Sequence, residues 1–98
     1  MSVLRLVIVR GRVQGVGYRA FVEREALAFG LEGWVRNRKD GTVEALFAGE
    51  EAIIDAMIEL CRRGPFNARV DQLDQRAGSP DDFEQRRPGD VFSVLRTV

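Results

Sequence analysis

Between Val3 and Val9 nearly every residue is apolar. Leu4, Leu6 and Ile8 fall on one side of an extended chain, and Val3, Val7 and Val9, with Arg5, fall on the other. A strand apolar on both faces predicts a central place in its sheet. A glycine-rich turn, Arg10 to Gly17, follows. The period then changes: Tyr18, Val22, Ala26 and Phe29 step by four, four and three, one face of a helix from Tyr18 to Phe29. Gly30 stands where a left-handed C-terminal cap belongs.

Leu31 to Arg36 predicts a second strand. Asn37 to Gly41 predicts a hairpin turn, with Asp40-Gly41 its strongest signal. Thr42 to Ala48 is the third strand, with Val43, Ala45 and Phe47 on one face and Glu44 on the other. Gly49 ends it. Glu50 and Glu51 open a second helix, their charges suiting a helix N-terminus. Ile53, Met57 and Leu60 line one side of it, with Ile54, Ile58 and Cys61 adjacent, and Gly64-Pro65 stops it. Arg69 to Leu73 is expected as a fourth strand, Gln75 to Asp90 as a long polar loop, and Val91 to Val98 as a last strand. The order β-α-β-β-α-β plus a terminal β predicts an α+β, ferredoxin-like sandwich. It has an antiparallel sheet, two helices on one face and a short C-terminal strand.

With 98 residues, the chain is expected to be one domain, residues 1–98. Hydrophobic residues make up 45% and charged residues 31%, the balance of a folded globular chain rather than a disordered one. The formal net charge is zero, which argues against a general nucleic-acid or membrane-surface binder. No apolar run approaches the ~20 residues of a membrane span. No histidine is present, and Cys61 is the single cysteine. That removes the commonest acid–base residue, disulfides and Cys-rich metal sites together, so no metal and no cofactor are expected. No secretory signal is read at the start, so the expected location is cytoplasmic. The expected oligomeric state is a monomer.

Zero net charge hides an asymmetry. Residues 1–39 carry eight basic side chains, Arg5, Arg10, Arg12, Arg19, Arg24, Arg36, Arg38 and Lys39, against Glu23, Glu25 and Glu32. The acidic excess lies in the remainder. An anion is expected to bind in the first third of the chain.

That third contains the turn Gly11 to Arg19. Its glycines permit φ > 0 and let main-chain N–H groups converge where a helix begins, an arrangement suited to phosphate. The same composition also serves an ordinary tight connection. It lacks the lysine of a nucleotide P-loop. Arg19 opposes the helix dipole at that position. Either its stem packs on the helix, or its guanidinium, matched to phosphate oxygens, meets a bound dianion. Asn37 has two readings as well. Asparagine bonds the backbone in turns. A neutral amide also orients a water beside an anion without the repulsion a carboxylate would bring. Phe21, Phe29, Phe47, Phe92 and Trp34 read as core, Met57 and Cys61 as packing. Asp81-Asp82 and Arg86-Arg87 read as solvated.

Gly11-Arg-Val-Gln-Gly-Val-Gly-Tyr-Arg19 resembles the signature of the acylphosphatases. Gly33-Trp-Val-Arg-Asn37, followed by Asp40-Gly-Thr-Val-Glu44, resembles their second signature. Gly64-Pro65 and the closing strand before Thr97 also fit, so the resemblance spans nearly the whole chain. Tyr18 stands where the family often has Phe, and the Gln75–Asp90 loop matches loosely. The resemblance implies hydrolysis of small acyl phosphates to a carboxylate and inorganic phosphate, without a metal. It implies that Arg19 binds the phosphoryl oxygens and Asn37 orients the attacking water. Main-chain amides of Gln14, Gly15, Val16, Gly17 and Tyr18 would complete the cradle, with Thr42 supporting Asn37. Inorganic phosphate or sulfate would compete. The alternative is a non-catalytic phosphate- or carbamoyl-phosphate-binding module of the same fold. An RNA-binding module is disfavoured: the first strand has no aromatic residue and the third only Phe47.

Overall fold

The computed structural model describes residues 2–98. The elements run β1 (Ser2–Arg12), α1 (Tyr18–Ala28), β2 (Glu32–Asn37), β3 (Val43–Glu50), α2 (Glu51–Arg63), β4 (Arg69–Ala77), α3 (Pro80–Phe83) and β5 (Phe92–Val94). The strands lie in the order β4-β1-β3-β2-β5. The doubly apolar β1 is therefore interior, paired antiparallel to both β3 and β4. The β5 strand lies parallel to β2, so the sheet is mixed rather than wholly antiparallel.

Strand alternation divides the apolar residues between two compartments. Val7 and Val9 of β1 and Val43, Ala45 and Phe47 of β3 point to the helix side. There they pack with Val22 and Ala26 of α1 and Ile54, Met57, Ile58 and Cys61 of α2. The opposite face buries Leu6, Trp34 and Leu46, with Leu4, Ile8, Phe83 and Leu95 against them. Phe47 and Phe92 stack with ring centroids 6.0 Å apart. Phe29 departs from the expected helical stripe. It is 37% exposed because α1 ends at Ala28. The chain reverses at Gly30 (φ 73°), with the Leu31 N–H bonded to the Ala26 carbonyl and the Gly30 N–H to that of Leu27.

Three boundaries differ from the sequence reading, each because main-chain pairing outweighs side-chain pattern. The β1 strand continues to Arg12, past a bulge at Arg10/Gly11, because β4 pairs with it as far as Arg69; the connecting loop is only residues 13–17. The β4 strand extends to Ala77 although only Leu73 of it is buried, since an edge strand is held by its ladder to β1. The last strand shrinks to residues 92–94. Beyond it the chain keeps single bonds to β2, from Leu95 N–H to the Val35 carbonyl and from Val98 N–H to that of Asn37.

The polar loop is partly structured. Ser79 and Asp82 form a reciprocal capping box around the short α3: the Asp82 N–H donates to Ser79 Oγ (3.1 Å), and the Ser79 N–H to Asp82 Oδ2 (2.9 Å). Trp34 Nε1 donates to the Asp82 carbonyl at 2.7 Å, tying this segment over the second face. Asp82 and Arg86 are therefore not simply solvated. Arg86 lies 4.4 Å over the Phe83 ring and 2.7 Å from a Glu32 carboxylate oxygen.

One buried bond joins the two long helices. The carbonyl of Cys61 would accept from the residue four places on, but that residue is Pro65, which has no N–H. The Tyr18 hydroxyl supplies the missing donor at 2.7 Å. Burial, with Cys61 alongside, holds the phenol protonated far above its ordinary range. Burial also pushes the Cys61 thiol up to about 12, leaving it inert. Tyr18→Phe is expected to strand the carbonyl and cost about 1–2 kcal/mol. The melting temperature then falls by several degrees, as a thermal melt would record; an unchanged melt would show that the carbonyl finds another donor.

Candidate active site

The helix α1 begins without the usual help. Its N-cap, Gly17, offers no side chain, and no acidic residue occupies the first turn. The first bond of the helix runs from the Phe21 N–H to the Gly17 carbonyl at 3.0 Å, so the N–H groups of Tyr18, Arg19 and Ala20 lie ahead of the ladder. Gly15 (φ 71°) and Gly17 (φ 80°) both take left-handed backbone, and a Cβ at either would meet nothing within 4 Å. Glycine is thus required there by conformation and not by crowding. The space these residues face is a cleft of about 360 Å³.

Arg19 and Asn37 line that same cleft. They reach it from different elements, Arg19 from the first turn of α1 and Asn37 from the end of β2. Gly15, Gly17 and Tyr18 form the loop end, and Val13, Ala20 and Val94 give apolar wall. Arg19 has no ion-pair partner among the described residues. Two expected loop residues keep their side chains out of the cleft, leaving only their main-chain N–H groups as candidates there. Val16 packs against the helix-side core, and the Gln14 side chain turns to the β2–β3 connection.

Asn37 is not a turn residue. It is paired with Val43 as the last step of the β2–β3 ladder, and residues 38–42 make the turn. Its Oδ1 is buried and has no hydrogen-bond partner among the described residues. The local turn bonding belongs instead to Asp40, whose Oδ1 accepts from both the N–H (3.0 Å) and the hydroxyl (2.6 Å) of Thr42. Those two bonds hold the Asp40 carboxyl below its usual range. Thr42 is buried, and its hydroxyl donates to Asp40 Oδ1, so its side chain supports the turn that follows Asn37.

Glu23 also lines the cleft and was not singled out in the sequence. It stands one helical turn beyond Arg19, and that four-residue spacing was the available signal. No cluster of three or more His, Cys, Asp or Glu side chains suited to a metal occurs among the described residues. No helix among them is long and apolar enough to cross a membrane.

Residues 5–87 match the family model for acylphosphatase. An acylphosphatase of Rhodopseudomonas palustris (strain BisB18) is 58% identical over 97 residues, covering 99% of this chain and 98% of its own. The chain belongs to the acylphosphatase family. A Bradyrhizobium diazoefficiens acylphosphatase is also 58% identical, over 94% of this chain and 93% of its own. Among solved structures, the Bacillus subtilis acylphosphatase superposes with a TM-score of 0.81 at 35% identity, covering 97% of this chain and 99% of that one. Membership in the acylphosphatase family supports acyl phosphate hydrolysis and phosphate binding, and the ferredoxin-like α+β architecture agrees with it.

Proposed function

We propose that this cleft hydrolyses the carboxyl–phosphate bond of small acyl phosphates, with Arg19 holding the phosphoryl group and Asn37 holding the water. The observation that carries this reading is the convergence on one cleft of an unpaired guanidinium and an unpaired buried amide oxygen. The phosphoryl oxygens sit against the main-chain amides of residues 14–18 and the guanidinium, and the acyl group lies toward Val13, Ala20 and Val94. The water oxygen forms a bond to phosphorus as the bond from phosphorus to the carboxyl oxygen breaks. The water's proton passes to a phosphoryl oxygen, and the bond's electrons leave with the carboxylate.

Positioning and charge supply most of the catalysis in such a loose transition state. The leaving carboxylate has a conjugate acid of pKa about 4, so it departs without a proton donor, and a chain without histidine suffices. Matches over 98% of a relative's length favour the enzyme over a non-catalytic binding module. The reading takes residues 1–98 as one domain, monomeric and cytoplasmic; the lone, buried Cys61 has no disulfide partner in the chain and suits a reducing compartment.

Steady-state turnover of acetyl or benzoyl phosphate, with and without chelator, tests it. Chelator is expected to leave the rate unchanged, and inorganic phosphate and sulfate are expected to compete with substrate. Loss of turnover in chelator, restored by a divalent ion, would overturn the metal-free mechanism. Millimolar phosphate that neither inhibits nor protects would remove the loop as the binding site.

A further inference from the structure

The two halves of the site are held by elements that do not pair with each other. The loop of residues 13–17 follows β1, whereas Asn37 ends β2, and β3 lies between those strands. One side chain crosses the gap. Gln14 Nε2 donates to the Arg38 carbonyl at 2.7 Å and to the Thr42 carbonyl at 2.8 Å. Arg38 directly follows Asn37, and Thr42 directly precedes Val43, its ladder partner. Both protons of one amide nitrogen are therefore used, and both anchors adjoin the Asn37–Val43 pair.

We infer that the Gln14 side chain is a positioning residue for hydrolysis, fixing the Asn37 water site relative to the phosphate cradle. The inference rests on the assignment of Asn37 above. It is distinct from the main-chain role of the loop, because the anchoring atom is the side-chain amide. The glutamine amide offers two donors on one nitrogen at this reach without bringing a charge beside the cradle. A carboxylate of identical shape offers none and would oppose both carbonyls. The turn is not wholly dependent on Gln14, since the Arg38 N–H also bonds the Thr42 carbonyl at 2.9 Å. Without Gln14 the hairpin is expected to keep its form but lose its register to the cradle. A displacement of about 1 Å is enough to cost roughly 10²-fold in rate.

The test uses Gln14→Glu and Gln14→Met, the second keeping the length without donors or charge. Both are measured for kcat, KM, inhibition by inorganic phosphate and melting temperature, alone and combined with Asn37→Ala. In whichever single variant melts as a folded protein, kcat is expected to fall 10- to 100-fold, and in the uncharged Gln14→Met the phosphate inhibition constant is expected to stay within about threefold. Added to Asn37→Ala, either change is expected to cost little more, because its effect passes through Asn37. A folded Gln14→Met protein with kcat within threefold of the parent would overturn the inference. So would a Gln14 loss that multiplies in full onto that of Asn37→Ala. If Asn37→Ala alone turns over normally, the assignment of Asn37 fails first, and the two failures are told apart.

Discussion

Arg19→Ala is expected to lower kcat/KM by about 10²–10³-fold, the loss typical of removing one preorganised donor to a developing oxyanion, ~3–4 kcal/mol. Both binding and rate should suffer, since in the proposed function the guanidinium meets the phosphoryl oxygens in ground and transition states alike. Arg19→Lys is expected to stay poor, because an ammonium cannot make the planar two-point contact. Stability should move the other way. Arg19 makes no ion pair among the described residues and stands at a helix start with no acid in its first turn. Removing a cation there relieves an unfavourable dipole interaction. The alanine protein is therefore expected to melt at or slightly above the parent temperature. A lysine variant with near-normal kcat/KM would show that a point charge is enough.

Asn37→Ala is expected to lower kcat by about 10²-fold or more while inorganic phosphate still competes, because Arg19 and the loop amides remain. An effect confined to kcat marks an interaction made in the transition state. Asn37→Asp is expected to be no better, and to weaken phosphate binding by placing a negative charge beside a dianion. A plain turn residue would behave differently, since aspartate serves turns about as well as asparagine. The structure sharpens this contrast: Asp40 already does the turn bonding, and Asn37 has an unpaired oxygen. An Asn37→Asp protein that melts normally and turns over at the parent rate would end the water-positioning role.

Where side-chain pattern and tertiary packing agree, the elements could be read directly from residue order. Val7 and Val9 of β1, Val22 and Ala26 of α1, and Met57 and Cys61 of α2 are buried as their spacing requires. The reading weakened where the forces leave no apolar trace. The β4 strand is long because β1 offers it a ladder, and nothing in its polar residues announces that length. The α3 helix is four residues held by a capping box and a tryptophan N–H from a distant strand. The site divided in the same way. Arg19 and the loop glycines were legible from local chemistry, and Asn37 from its signature. The reach of Gln14 to two carbonyls 24 and 28 residues away exists only after folding.

The composition of β4 has a consequence beyond its own pairing. It is an outermost strand, so one side of its backbone faces no neighbour in the sheet. Such an edge invites another extended chain to add to it. Here it is studded with Arg69, Asp71, Gln72, Asp74, Gln75 and Arg76, all exposed. Joining an identical edge would crowd like charges in some alignments and desolvate ionised groups in others. The same polarity that hides β4 from a pattern search thus makes its open edge costly to strip of water, which is how a small sheet can end in solvent.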